Sequence, residues 1–300
     1  MNITPIYKRE NISLYQGDLN EVLPELMKLG LIDSVNAVIT SPPYAMQRSK
    51  DYSSISEDSY PEFTDSYFDL LKPLLKDNGS ILLVARPHIK SGQISDYLLR
   101  TRLLLRKKWT ECEELIWFKT NSPPLGSTKR PRRAWESILW FGKSGDVYCD
   151  TKSEMKKSSR IGFSTSKYME GDSFVNEGQK IAGEGISRDI DVVQVGVNKN
   201  ESKLTHPAMF PEQLSTRLIK MVSKEGDLIL DPFSGSGTTG VSCLKTKRQF
   251  IGIDIDENYL QESVLRFERE FDRLAFNKTH SVKRETSKSP TVNNNTIISF

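Results

Sequence analysis

Two stretches of this chain combine residue types and spacings that can do chemistry. The first is Asp231-Pro-Phe-Ser-Gly-Ser-Gly-Thr-Thr-Gly240, where Gly235, Gly237 and Gly240 follow the spacing G-x-G-x-x-G. Glycines so placed let a backbone close on a ligand. Asp254, 19 residues after Gly235, stands where a carboxylate accepts from ribose hydroxyls. The pattern points to a nucleoside or dinucleotide site. The second stretch is Thr40-Ser-Pro-Pro-Tyr44. Its prolines stiffen a turn and remove two N–H donors, so the carbonyls of Ser41 and Pro42 can face a ligand as acceptors. Tyr44 adds a flat π-face on which a base can stack.

Asp231 narrows the choice of ligand. A carboxylate beside the glycine loop repels a pyrophosphate and attracts an ammonium group. S-adenosylmethionine offers both an α-amino group and a ribose. No G-x-x-x-x-G-K-[ST] is present to hold a nucleoside triphosphate.

The elements that must position these stretches alternate along the chain. Ile12–Tyr15 reads as a strand ending at Gly17-Asp18, and Val22, Leu23, Leu26 and Leu29 then follow helical spacing. Ala37–Ile39 is a second strand, cut off by Ser41-Pro42-Pro43. A helix over 61–76, with Phe63, Tyr67, Leu70, Leu71 and Leu74 on one face, is expected to stop at Asn78-Gly79. Ile81–Ala85 is apolar throughout, as a parallel strand covered on both faces should be. Strands at Glu114–Phe118 and Ser137–Phe141 flank a loop holding Asn121-Ser-Pro-Pro-Leu-Gly126. A helix with Leu214, Leu218, Ile219 and Val222, the strand Asp227–Leu230, the glycine turn, a helix, the strand Gln249–Ile253 and a charged helix over about 256–275 complete the pattern. This alternation predicts an α/β fold with a mostly parallel sheet and helices on both faces.

From 144 to 205 the apolar periodicity fades, and Ile190–Val195 is the most strand-like piece. That segment reads as an insertion. It divides a domain into 1–143 and 206–276, and 277–300, rich in Ser, Thr, Asn and Lys, reads as a disordered tail.

Composition bounds the rest. In 300 residues, 37% hydrophobic and 27% charged is the balance of a soluble globular protein, which excludes wholesale disorder. No apolar run approaches the roughly 20 residues that span a bilayer, and no secretory signal opens the chain; the cytoplasm is the expected compartment. Cys112, Cys149 and Cys243 form no C-x-x-C, and His88, His206 and His280 lie far apart, so no metal site is expected. Residues 86–133 carry twelve Lys or Arg against four acids. The excess is either a solvated face or a phosphate-binding surface.

Taken together, the motifs resemble those of the amino-methylating DNA methyltransferases of the β class, whose catalytic motif precedes the cofactor motif. Thr40–Tyr44 resembles the catalytic motif and Asp231–Thr239 the cofactor loop. His206-Pro-Ala-Met-Phe-Pro211 resembles the segment before that loop, and Gly252-Ile-Asp-Ile-Asp256 the ribose-binding strand end. Leu115–Lys119 with Asn121 is similar to a further recurring stretch, and Gly17-Asp18 to the motif whose acid bonds the cofactor's adenine amine. The likeness covers about residues 12–143 and 205–265.

The resemblance implies a Rossmann-like methyltransferase fold with permuted motif order and a small inserted target-recognition region at 144–205. It implies S-adenosylmethionine as cofactor, held by Asp18, Asp231, Phe233, Gly235, Gly237, Thr238 and Asp254. The catalytic group is Ser41, Pro42, Pro43 and Tyr44: Ser41 and the Pro42 carbonyl accept from the target amine while Tyr44 stacks on a base extruded from double-stranded DNA. A first-letter Ser is usual for cytosine N4 and Asp or Asn for adenine N6, so a cytosine-N4 enzyme is expected, with adenine N6 the alternative. A nicotinamide-dependent oxidoreductase and a non-catalytic DNA-binding module are further alternatives. C5 methylation is disfavoured, because no cysteine follows a proline. Lys129, Arg130, Arg132 and Arg133 are candidate phosphate contacts. Arg48 and Tyr52 either clamp the extruded strand or form an ordinary surface loop, and His206 is either a cofactor-side or a structural residue. A restriction–modification role, with a nuclease sharing the site, follows from the resemblance alone.

Overall fold

A computed structural model describes residues 3–45, 55–122, 129–153, 156–157, 164–170, 173–179, 186–187, 189–197 and 211–286. The N-terminal elements are β1 (Tyr7–Arg9), β2 (Ile12–Gln16), α1 (Leu19–Lys28), β3 (Val35–Thr40), α2 (Tyr60–Leu71) and β4 (Leu75–Ala85). They are followed by the short pair β5 (Ile89–Lys90) and β6 (Gln93–Ile94), then α3 (Tyr97–Leu105), β7 (Thr110–Phe118) and β8 (Trp135–Gly142). The middle of the chain holds β9 (Lys156–Lys157), β10 (Ser164–Glu170), β11 (Ser173–Gln179), β12 (Ile186–Ser187) and β13 (Val192–Gln194). The C-terminal elements are α4 (Glu212–Val222), β14 (Leu228–Asp231), α5 (Thr238–Lys245), β15 (Gln249–Asp254) and α6 (Glu257–Thr286).

One sheet runs in the order β1-β2-β15-β14-β3-β4-β8-β7-β13. From β2 to β4 every pair is parallel, while β8 runs antiparallel between β4 and β7. Both faces are covered, as the uniformly apolar central strands require. One face packs Leu82, Ile229 and Phe250 with Leu218, Val241 and Phe267 of α4, α5 and α6. The other packs Leu83, Leu230 and Ile251 with Leu23, Phe68 and Tyr97 of α1, α2 and α3. Among the described residues no helix is long and apolar enough to cross a membrane.

The structure departs from the sequence reading in several places, four of them instructive. The helix expected over 61–76 ends at Leu71, and Asn78-Gly79 lies within β4. There the pairing with β3 slips from Val35–Leu75 to Ala37–Ser80, so the Asn-Gly signal marks an irregular strand and not a helix stop. Helix α3 has no clear apolar periodicity, because its leucines fall on several sides: Leu98 and Leu105 are buried while Leu99 and Leu103 are exposed. The strand expected at Ile190–Val195 is present as β13, but it is the parallel edge of the main sheet, bonded to β7. Finally, α6 continues to Thr286, so 277–286 is helix where a tail was expected, and 287–300 lies outside the described residues. Leu260, Phe267 and Phe271 anchor the earlier turns, and extending a nucleated helix costs far less than starting one.

Candidate active site

Chain order reverses between β14 and β3: β14 is followed by β15 on one side and β3 by β4 on the other. In an open parallel sheet the loops leaving two such strands part in opposite directions and open a crevice at their carboxyl ends. Both chemical stretches meet there. Thr40, the last residue of β3, donates its hydroxyl to Asp231 Oδ1 at 2.8 Å across that junction. Asp231 also accepts from Thr239 Oγ1 at 2.7 Å and from the Phe233 N–H at 3.1 Å. Burial pushes its carboxyl up to about 6, so it stays mostly ionised at neutral pH. Three protein donors occupy this carboxylate, so its effect on a ligand ammonium is chiefly that of a fixed charge nearby.

The glycine loop is wired on every side. The Gly235 N–H donates to Asp254 Oδ2 at 2.7 Å, and the Gly235 carbonyl accepts from Ser263 of α6 at 2.8 Å. Arg266 of α6 donates to the Ser236 carbonyl at 2.7 Å and reaches Thr238 Oγ1 at 3.1 Å. Gly237 sits at φ +76°, and a Cβ there would meet Ser263 Oγ at 2.8 Å and Phe267 Cζ at 2.9 Å. Gly240 likewise faces the Phe267 ring. Two of the three glycines are thus demanded by the fit of α6 against the loop, whereas the sequence reading gave all three to ligand approach. Phe233 packs its ring 5.3 Å from Tyr67 and 6.0 Å from Phe63.

Asp18, Asp254 and Asp231 end or follow three neighbouring strands, which lie roughly 5 Å apart. Asp18 caps α1, and the two bonds from Asn20 both fall on Oδ1. Asp254 also accepts from the Asp256 N–H, and burial raises its pKa. Each Asp254 oxygen keeps an acceptor direction beyond these bonds. A row of three carboxylates fits a ligand that carries an ammonium, a ribose and an amino-bearing base, and opposes a pyrophosphate.

Ser41–Tyr44 leaves the same junction on the β3 side. The Tyr44 hydroxyl donates to Glu136 Oε2 at 2.8 Å. Glu136 Oε1 takes the Lys119 ammonium, and Arg86 stands 3.9 Å from the same oxygen. Burial, reinforced by the Glu136 charge, raises the Tyr44 pKa, so the phenol remains a donor.

A family model described as DNA methylase, of the N6/N4 type, matches residues 35–265. The chain belongs to the N6/N4 DNA methylase family. Type II methyltransferase M.PvuII of Proteus hauseri is 26% identical over 295 residues, spanning 88% of this chain and 85% of that protein. The solved PvuII DNA methyltransferase, described as cytosine-N4-specific, aligns with a TM-score of 0.68 at 24% identity, covering 89% of this chain and 93% of that one. A putative DNA modification methylase of Thermus thermophilus, complexed with S-adenosyl-L-methionine, aligns with a TM-score of 0.56 at 23% identity, covering 86% and 93%. Both structural likenesses establish the fold.

In this methylase the basic residues expected on the DNA side divide into two groups. Lys129, Arg130, Arg132 and Arg133 lie between β7 and β8, at the sheet edge from which the Ser41–Tyr44 turn also leaves. Lys129, Arg130 and Arg132 are exposed. Arg130 also donates to the Gly92 carbonyl, tying the segment to the β5–β6 pair. Arg133 is partly buried and donates to the Pro87 carbonyl at 2.6 Å, which makes it a brace as well as a charge. Arg48, Tyr52 and His206 lie outside the described residues. Three site residues escaped the sequence reading: Thr40 and Thr239 as partners of Asp231, and Glu136. For Glu136 a signal existed, the one charged residue in the largely apolar Trp135–Gly142 strand.

Proposed function

We propose that this DNA methylase transfers the methyl group of S-adenosylmethionine to the N4 amine of a cytosine extruded from double-stranded DNA. The observation that carries the reading is the Thr40–Asp231 bond, which joins the Ser41–Tyr44 turn to the glycine loop at one crevice. When bound, the cofactor supplies an electrophilic methyl on a sulfonium. Asp231 lends negative charge beside its ammonium, Asp254 accepts from its ribose, and Asp18 Oδ2 accepts from its adenine amine. On the other wall the Ser41 hydroxyl and Pro42 carbonyl accept the amine's hydrogens, which draws its lone pair out of the ring and aims it in line. Tyr44 supports the base, and the displaced proton passes to solvent. Positioning and fixed charge carry such a reaction, and no covalent nucleophile is needed.

Ser41 in the first motif position and the likeness to the PvuII methyltransferase described as cytosine-N4-specific both favour cytosine N4. The segment 144–205 supplies target recognition in this reading. Its antiparallel pair β10–β11 offers a ribbon of the kind that enters a DNA groove. The Type II relative favours a restriction–modification setting, with a nuclease that reads the same sequence. The test is incubation with mixed-sequence duplex DNA and isotope-labelled S-adenosylmethionine, followed by nucleoside mass spectrometry. Label in N4-methylcytosine is expected. Label in N6-methyladenine instead would keep cofactor and mechanism and overturn the choice of base. Absence of label on duplexes covering all short sites would overturn the reading.

A further inference from the structure

Glu136 is buried at the start of β8, and the steps derived above give it no task. Its neighbours Ser137, Ile138 and Leu139 are buried too, so an apolar residue there would serve the core without the cost of desolvating a charge. The carboxylate is instead fully engaged by groups that follow three other strands. Antiparallel β8 pairs Ser137 with Ala85 of β4 and Glu136 with Trp117 of β7, which sets Glu136 beside Arg86 and Lys119. Lys119 is itself fixed, its ammonium lying 4.3 Å above the Trp117 ring, whose indole N–H donates to the Val195 carbonyl at 2.9 Å. Two cations therefore hold Oε1, and Oε2 is left to the Tyr44 hydroxyl.

Tyr44 needs such a partner. Pro42 and Pro43 restrict the backbone that leads into it, but they leave the ring free to turn about its own side-chain bonds. A ring that must meet an extruded base face-on loses rate when it samples other rotamers. We propose that Glu136 is a positioning residue for methyl transfer: by accepting from the Tyr44 hydroxyl, with Lys119 and Arg86 holding its own charge in place, it locks the ring in the attitude that receives the target base. The proposal rests on Tyr44 being the stacking face in the reading above.

The experiment compares Glu136→Gln, Tyr44→Phe and the double variant with the wild-type protein, in single-turnover transfer to duplex DNA and in cofactor titrations. Tyr44→Phe keeps the ring and loses the hydroxyl, and with it the tether to Glu136 and the contact with the Ser41 side chain. Each single variant should lose about 10- to 100-fold in transfer rate while cofactor affinity stays within about twofold. The double variant should be no slower than the slower single one, because both remove the same link. A duplex with an abasic position opposite the target lowers the cost of extrusion and should restore much of the loss, which a merely structural defect would not show. If Tyr44→Phe transfers at the wild-type rate, or if the two losses multiply, the proposal is overturned. Should Glu136→Gln fail to fold, Glu136→Asp, which keeps the charge beside Lys119 and Arg86 but withdraws the carboxylate from the Tyr44 hydroxyl, takes its place. A wild-type protein that labels no nucleoside overturns the stacking reading and this proposal with it, whereas active wild type with unaffected variants overturns this proposal only.

Discussion

The glycine-loop wall of the crevice comes from one contiguous unit, β14, the glycine loop, α5, β15 and α6, to which Asp18 after β2 and Thr40 of β3 are added, and much of its geometry is carried by main-chain groups. The Gly235 N–H and carbonyl, the Ser236 carbonyl and the Phe233 N–H are all partners in it. The transfer side is assembled from the ends of β3, β4 and β7 and the start of β8, and its decisive contacts run between side chains. Tyr44 and Glu136 are separated by 92 residues. A main-chain cradle depends on local turns and tolerates side-chain change except where packing forbids it. A side-chain cluster depends on every strand arriving in register, and one truncation leaves a buried partner unsatisfied.

That contrast can be broken by substitution. The largest effect is expected for Tyr44→Ala, which removes the stacking face: transfer should slow by about 100-fold or more while the cofactor binds as before. Single-turnover rates and calorimetric titration measure the two. A matching loss of cofactor affinity would show that the two sides are not separable. Next comes Gly240→Ala on the cofactor side, where a new Cβ meets the Phe267 ring. Overpacking should cost about 1–3 kcal/mol in urea unfolding, and the added Phe267→Leu change should return part of it.

A pH series sharpens the role of Asp231. Its raised pKa, about 6 against an ordinary 3.8, means that the folded protein holds this proton more tightly than the unfolded chain does. Ionising it therefore costs stability, a cost incurred as pH rises through about 6 and relieved as pH falls below it. Cofactor binding should follow the opposite course and weaken as pH falls through about 6, because protonation removes the charge that faces the ammonium. Asp231→Asn should flatten both trends. Affinity that stays constant with pH in the wild type would leave Asp231 with a purely structural role. The smallest effect is expected for Lys129→Ala and Arg132→Ala, exposed charges proposed as phosphate contacts. Each should lower the salt dependence of DNA binding by about one unit of slope with little change in transfer once DNA is bound.

The parallel core strands, the helix that follows the glycine loop and the two chemical stretches were legible in the sequence, because each is encoded within a few neighbouring residues. A proline pair ends a strand, a glycine accepts positive φ, and an unbroken apolar run belongs between two layers. Family membership, too, was readable from the order of these local motifs. What the sequence could not disclose depends on strand order and direction. That β8 runs antiparallel, delivering Glu136 to the same sheet edge as Tyr44, is a fact about neighbours in space. Likewise the packing of Gly237 and Gly240 against α6 is a second demand on those glycines that the loop motif does not announce. Asp231 looked like a free charge until Thr40 and Thr239 were found on it. Local sequence determines where the backbone can turn and which side chains are at hand. Only tertiary structure decides which of them a buried carboxylate will meet, since that contact is made by elements whose separation along the chain carries no signal of their separation in space.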